Sequence, residues 1–306
     1  QARYWDQVPN HHRPRPPTGL SIGWTCRVVL EMVRVSFRQS GPKPYQVLGI
    51  VSPTYSLVMK QNIWRSTFPV ASYLVNAEKQ LSLHGLISLV QEMAWSHAGH
   101  LGFGFAEVRA RGDSWILARQ RIEIQRWPEW EDQLTVVTWL RPPGAVIVTR
   151  DFEFYLGSEK VGHACAHWLT ISHATRRPTR IPFPDDRSLF RQDAHLPIDP
   201  EKLKPESETQ LLTSYQVRYS DLDMNSHVNN TRFAQWVLDS LPLSSHSKYE
   251  VKNYQINFLA EARPGDKVEI WGPSSFGSAR LGFQGRRAEN GELLFLTQIE
   301  AGSREN

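Results

Sequence analysis

Residues 219 to 230 read YSDLDMNSHVNN, a stretch in which Asp221, Asp223 and Asn225 alternate with larger residues and His227 follows. A carboxylate, a carboxamide and an imidazole this close together can move a proton, hold a water molecule and polarise a carbonyl, the equipment of general acid–base catalysis. A helix is expected directly afterwards, over Val228 to Leu241 and stopped by Pro242. The partial positive charge at its N-terminus suits a developing oxyanion, and Asn225 or Ser226 would cap its first amides. A calcium loop is excluded, because an EF-hand needs Gly at its sixth position and Glu at its twelfth, where this chain has Ser226 and Arg232. Asn229 opens a formal glycosylation triplet, but one that falls inside the expected helix.

The elements that must hold these residues recur along the chain. SYLVNAEKQLSLHGL from Ser72 overlays SYQVRYSDLDMNSHV from Ser214 at an offset of 142 residues. Each copy runs into a helical pattern, with Leu86, Leu89, Val90, Met93 and Ala94 on one stripe of the first and Phe233, Ala234, Val237, Leu238 and Leu241 on the second. Strand-like runs rich in β-branched and aromatic residues follow both: SWILARQRIEIQRW, QLTVVTWLR, AVIVTRDFEFYL and VGHACAHWLTIS after the first, then YEVKNYQINFLAEA, DKVEIWG, ARLGFQGRR and LLFLTQIEAG. Ile122 over Ile256 and Asp132 over Asp266 extend the repeat at an offset of 134. The expected fold is α+β, each unit a long apolar helix wrapped by an antiparallel sheet, with the two units packed as an internal pseudo-dimer. The boundaries are an N-terminal extension over 1–56, a first unit over 57–175, a linker rich in Pro and charge over 176–207, and a second unit over 208–306. In the 142 register the first unit has Leu81, Leu83 and Gly85 where the second has Asp223, Asn225 and His227, so one unit is expected to be active and the other structural or substrate-binding.

Composition narrows the classes. Of 306 residues, 40% are hydrophobic and 22% charged, as in a folded globular chain. The net charge of +4 suits an acidic partner without demanding nucleic acid. Cys26 and Cys165 are too few for a disulfide framework, which fits a reducing compartment. The most apolar early run, GLSIGWTCRVVLEMVRVSF, is interrupted by Arg27, Glu31 and Arg34, so no membrane span is expected. The first 56 residues, with HHRPRPP, read as a tag, an upstream extension or a transit-like segment.

The segment VRYSDLDMNSHVNNTRFAQWVLDS resembles the signature of the acyl-acyl carrier protein thioesterases of the FatA and FatB type, which have two tandem hotdog domains. The resemblance implies an acyl-ACP hydrolase that releases free fatty acids and ends fatty acid synthesis. It also implies a site of Asp223, Asn225, His227 and, within NFLAEARPGD, Glu261, with Glu261 as general base, Asn225 and His227 positioning water and substrate, and Asp223 either orienting them or acting as nucleophile. Plant members often carry Cys directly after that Glu; here the residue is Ala262, which speaks against a thiol nucleophile. Tyr254, Ile256 and Phe258 share a face, so a bulge or strand end near Ala260 is needed to turn Glu261. The implied partner is an acyl carrier protein, in the cytoplasm of a bacterium or the plastid stroma of a plant, and a homodimer stays open. An acyl-CoA thioesterase and a non-catalytic acyl-binding module are the alternatives.

Other constellations carry less. His163, Cys165 and His167 alternate in GHACAH and could share a sheet face as zinc ligands, but no fourth ligand is evident nearby, and Glu92, His97 and His100 lack the spacing of a metalloprotease helix. No metal and no cofactor are assigned. Trp95, Trp115 and Trp127 suit the lining of an acyl pocket. Met93 is expected to face the acyl tunnel, and Arg176, Arg177 and Arg180 to attract an acidic carrier.

Overall fold

The computed structural model describes residues 61–304 except 145, 182, 184–185 and 274–279; the N-terminal extension and Cys26 lie outside the described residues. The first unit comprises β1 (Ile63–Pro69), α1 (Leu83–Leu101), α2 (Phe105–Ala110), β2 (Asp113–Ile124), β3 (Gln133–Leu140), β4 (Val148–Leu156), β5 (Glu159–Ser172) and the short β6 (Pro178–Thr179). The second comprises β7 (Gln210–Gln216), α3 (Asn230–Asp239), α4 (Leu243–His246), β8 (Tyr249–Phe258), β9 (Lys267–Gly272), β10 (Arg280–Arg287) and β11 (Leu293–Ser303). Every strand-like run anticipated from composition is a strand.

All pairings are antiparallel, in the order β1-β3-β4-β5-β2-β8-β11-β10-β9-β7, with β6 on β5. Both halves thus have the same internal order, joined where β2 meets β8 through the pairs Arg119↔Asn257 to Glu123↔Asn253. The middle pair, Arg121↔Gln255, is related to itself by the 134-residue offset, which marks the pseudo-twofold position. Each sheet half curls around its own helix. The α1 stripe of Leu86, Val90, Met93 and Ala94 is buried against Phe152, Phe154, Ala164 and Ala166, and Phe233, Ala234 and Val237 of α3 are buried with Phe283, Phe295 and Ile299. This is the double-hotdog arrangement.

Cap chemistry sets the helix ends. Ser82 Oγ accepts from the Gly85 amide at 3.0 Å at the start of α1, and Gly102 closes it with φ +85°, a left-handed value that glycine adopts without strain. At α3 the cap is Asn229, whose side chain accepts from the Thr231 amide at 3.0 Å. The expectation of Asn225 or Ser226 as the cap, and of a helix from Val228 to Leu241, is therefore corrected. The residues before Asn229 are held in a turn, and Asn229 stands at the helix boundary rather than inside it.

The segment between the units crosses the outer face of the sheet. The Asn257 carboxamide accepts from Leu203 N and donates to Glu201 O, each at 2.9 Å, and Trp139 Nε1 donates to Ala194 O at 2.9 Å. Gln255 and Asn257 are buried on that side as a result, which is why both faces of β8 look closed to solvent.

Candidate active site

The turn from Leu222 to Val228 is closed by an antiparallel bridge between its ends. Asp223 Oδ1 accepts from the backbone amides of Asn225 at 2.8 Å and His227 at 3.2 Å, while Asp223 N donates to His227 O at 2.8 Å. Ser226 takes φ +61° to complete the turn. The Asp223 carboxylate thus organises the backbone that presents Asn225 and His227.

A second connection brings in Glu261. Val228 N donates to Ala262 O at 2.9 Å, tying the turn to the chain leaving β8. That strand ends at Phe258, and the next two amides, Leu259 and Ala260, both donate to Leu294 O at 2.9 and 3.1 Å. This local doubling breaks the alternation near Ala260, and Glu261 faces His227, with Oε2 3.5 Å from Nε2. Ala262 is 1% exposed within the core, so the side chain at that position is turned away from the turn.

Two arginines complete the surroundings of Glu261. Arg176 Nη2 donates to both carboxylate oxygens at 3.2 Å and Arg263 Nη2 to Oε2 at 3.3 Å. Burial works to raise the Glu261 pKa, but the charge of His227 and the hydrogen bonds from Arg263 and Arg176 outweigh it and hold the carboxyl below its ordinary value. Arg176 itself takes φ +57° just beyond β5 of the first unit. The Arg176 contact is not legible in the sequence, because residues 176 and 261 are 85 positions apart and no periodicity links them.

Beside the turn lies a cavity of about 360 Å³ lined by Asp223, Met224, Asn225 and Asn229 of the second unit and by Ala94, Trp95, Ala98, Trp115, Trp168 and Arg150 of the first. Asp223 and Asn225 face the cavity; His227 and Glu261 form the adjoining pair. Trp95 and Trp115 line it as expected. Trp127 does not, and its Nε1 donates instead to Val251 O at 2.8 Å. Met93 does not either, being buried in the core at 1% exposure.

The register of the repeat also needs correction. The single 3-10 turns Ser72–Leu74 and Tyr219–Asp221, the bridges Val75↔Leu81 and Leu222↔Val228, and the caps Ser82 and Asn229 all correspond at an offset of 147. The counterparts of Asp223, Asn225 and His227 are then Asn76, Glu78 and Gln80, not Leu81, Leu83 and Gly85. The backbone is the same: Asn76 Oδ1 accepts from Glu78 N at 3.1 Å and Gln80 N at 3.0 Å, and Lys79 takes φ +62°. The first unit keeps a polar turn. By the 134 offset, however, the counterpart of Glu261 is Trp127, so no carboxylate stands at that position, although Glu129 bridges to Gln80 two residues further on.

Cys165 is fully buried and its thiol is pushed far up by burial, which keeps it protonated. His163 turns to Glu123 at 3.1 Å. Folding adds a ligand candidate that the sequence concealed: Asp199 of the linker comes within 4.8 Å of Cys165 and His167. Arg141 already lies in this group, donating to Asp199 at 2.7 Å and in a two-pronged pair to Asp151 at 2.7 and 2.8 Å.

Two hotdog units in one chain, with a His–Glu pair beside a largely apolar cavity, are the architecture of a thioester hydrolase. Residues 61–186 match the acyl-ACP thioesterase N-terminal domain and residues 204–300 the acyl-ACP thioesterase C-terminal domain. The chain is 28% identical over 290 residues to the chloroplastic oleoyl-acyl carrier protein thioesterase 2 of Arabidopsis thaliana, covering 86% of this chain and 77% of that protein. The acyl-ACP thioesterase structure from Bacteroides thetaiotaomicron aligns with a TM-score of 0.72 at 23% identity, over 79% of this chain and 98% of that one. The 12:0-ACP thioesterase structure from Umbellularia californica aligns at 0.64 and 22%, over the same shares. This chain belongs to the acyl-ACP thioesterase family.

Proposed function

We propose that the protein hydrolyses acyl-ACP thioesters to free fatty acids, with Asp223, Asn225, His227 and Glu261 as its site and the cavity beside the turn, walled by both units, holding the acyl chain. The observation that carries this reading is the 3.5 Å approach of His227 to Glu261, next to a turn whose Asp223 and Asn225 line that cavity. In this scheme residues 57–175 form the acyl-binding unit, 176–207 the linker and 208–306 the catalytic unit.

Glu261 takes a proton from a water molecule held between it and His227, and the water oxygen attacks the thioester carbonyl. The Asn225 carboxamide donates to the oxyanion that develops. Collapse of the tetrahedral intermediate breaks the C–S bond, and the departing thiolate of the carrier's phosphopantetheine arm recovers the proton through His227. Both amides received by Asp223 Oδ1 favour an orienting role for that carboxylate over attack on the substrate. No thiol is required.

The carrier docks on the basic surface around Glu261. Arg176 and Arg263 have side chains 57% and 61% exposed, Arg177 and Arg180 are exposed nearby, and an acidic carrier protein complements them. Such an enzyme works wherever acyl-ACP is made, the bacterial cytoplasm or the plastid stroma. Among the described residues no helix is long and apolar enough to cross a membrane.

The test is release of free acid from a chain-length series of acyl-ACPs and matched acyl-CoAs. Preference for the ACP series is expected. Hydrolysis of the CoA series alone would reassign the carrier, and no hydrolysis of either would reduce the chain to an acyl-binding module.

A further inference from the structure

The cavity contains a charge that a hydrocarbon tail does not satisfy. Along β4, Val148, Arg150, Phe152 and Phe154 point to the same face, toward α1, and all four are buried. Three are apolar, as a face packed against a helix requires. The fourth is a guanidinium that is 3% exposed and lines the cavity. Its hydrogen bonds go to neutral groups: Nη1 donates to His97 Nδ1 at 2.8 Å and to Thr138 Oγ1 at 3.3 Å. His97 Nε2 lies 2.9 Å from Gln61 O, so that nitrogen carries the ring hydrogen and Nδ1 is left to accept. Among the described residues Arg150 has no carboxylate partner. Burial pushes its pKa down to about 9, which still leaves it charged at neutral pH.

A buried, uncompensated charge is costly unless something supplies acceptor oxygens. The ordinary solution is seen on the opposite face of the same strand, where Asp151 pairs with Arg141. Arg150 has the cavity instead. It lines the same cavity as Asp223 and Asn225, reaching it from β4 of the first unit while they reach it from the turn of the second. A chain with its thioester held beside Asp223 and Asn225 and its tail running to the β4 side of the cavity would bring its far end to Arg150.

We infer that the cavity accepts acyl chains carrying an acceptor oxygen, best a carboxylate, at the end remote from the thioester, and that Arg150 is the residue that selects them. This rests on the proposed thioesterase reading and adds a substrate class to it. A methyl-ended chain leaves the guanidinium unpaired, whereas a carboxylate forms a charge-assisted hydrogen bond to it.

Binding of free acids separates this inference from catalysis. Calorimetry on the full chain would compare dodecanoic, ω-hydroxydodecanoic and dodecanedioic acids, which share a head group and differ only at the distal end. The diacid is expected to bind at least about tenfold tighter than the monoacid, on the scale of a hydrogen bond to a charged group, with the hydroxy acid between them. Arg150→Met should abolish or invert that order, and Arg150→Lys should retain part of it. Equal or weaker binding of the diacid by the unaltered protein, or no binding of it, overturns the inference even if neither variant folds. Loss of all acyl-ACP turnover would instead overturn the thioesterase reading and leave the binding comparison standing.

Discussion

Glu261 and His227 meet at 3.5 Å although they lie 34 positions apart in the chain, and a backbone hydrogen bond from Val228 N to Ala262 O ties their two segments together. That bond joins the turn presenting the imidazole to the strand end presenting the carboxylate. Replacing either side chain should remove an acid or base without unsettling the frame. Glu261→Ala and His227→Ala are each expected to lower kcat by about a hundredfold or more while the melting temperature stays within a few degrees; kcat within about threefold of the parent for Glu261→Ala would remove it from the proposed chemistry.

Arg176 and Arg263 set the basicity of that carboxylate. With either replaced by Met, the carboxyl loses a stabilising charge and its pKa rises. If Glu261 must be ionised to act, the acid limb of the kcat/KM profile moves to higher pH in Arg176→Met. An unmoved acid limb, with Arg176→Met affecting only KM, would confine Arg176 to carrier docking.

Chain-length control should lie at Ala94 and Ala98, the small α1 residues on the cavity. Ala98→Leu is expected to shift released acids toward shorter chains, read by chromatography of the products. Met93→Trp should not shift the profile. Met93 is buried in the core, and enlarging it should cost about 1–3 kcal/mol of stability through overpacking.

A thiol mechanism predicts the reverse of what Cys165 offers. Buried and held protonated, it should react slowly with iodoacetamide, and replacing both cysteines by Ser should leave most of the activity. Complete inactivation by alkylation at Cys165 would overturn the carboxylate mechanism.

Buried histidines give stability a defined acid limit. His97 is fully buried, and burial together with the Arg150 charge outweighs its bond to Gln61 O and pushes its pKa down to about 3, from 6.5 in an unfolded chain. Above 6.5 neither state binds the proton and the stability is fully present. Below it only the unfolded chain does, so stability falls as pH drops from 6.5 toward 3, at up to about 1.4 kcal/mol per pH unit. His84, His163 and His167 are lowered too and act in the same direction. Chemical denaturation across that window should be flatter for His97→Gln; an unchanged slope would show that His97 does not carry the effect.

The sequence by itself determined the two-unit α+β architecture, because long apolar helical stripes followed by β-branched runs admit few other ways to bury both. It also singled out Asp223, Asn225 and His227, since adjacent polar residues with little apolar content are visible in one short window. Tertiary structure decided the rest, beginning with the register. Without gaps, Leu81, Leu83 and Gly85 slid beneath the site. The bridges and the positive-φ residues Lys79 and Ser226 shift the match by five, to Asn76, Glu78 and Gln80. The same turn can be made by different side chains, because its form depends on backbone hydrogen bonds to one side-chain oxygen, Asn76 or Asp223, and on a left-handed residue. Arg176 beside Glu261, the buried Arg150 on the cavity and Asp199 beside Cys165 were likewise beyond reading. Charged side chains distant in sequence meet only when strands and linker fold over one another, and local patterning holds no record of such meetings.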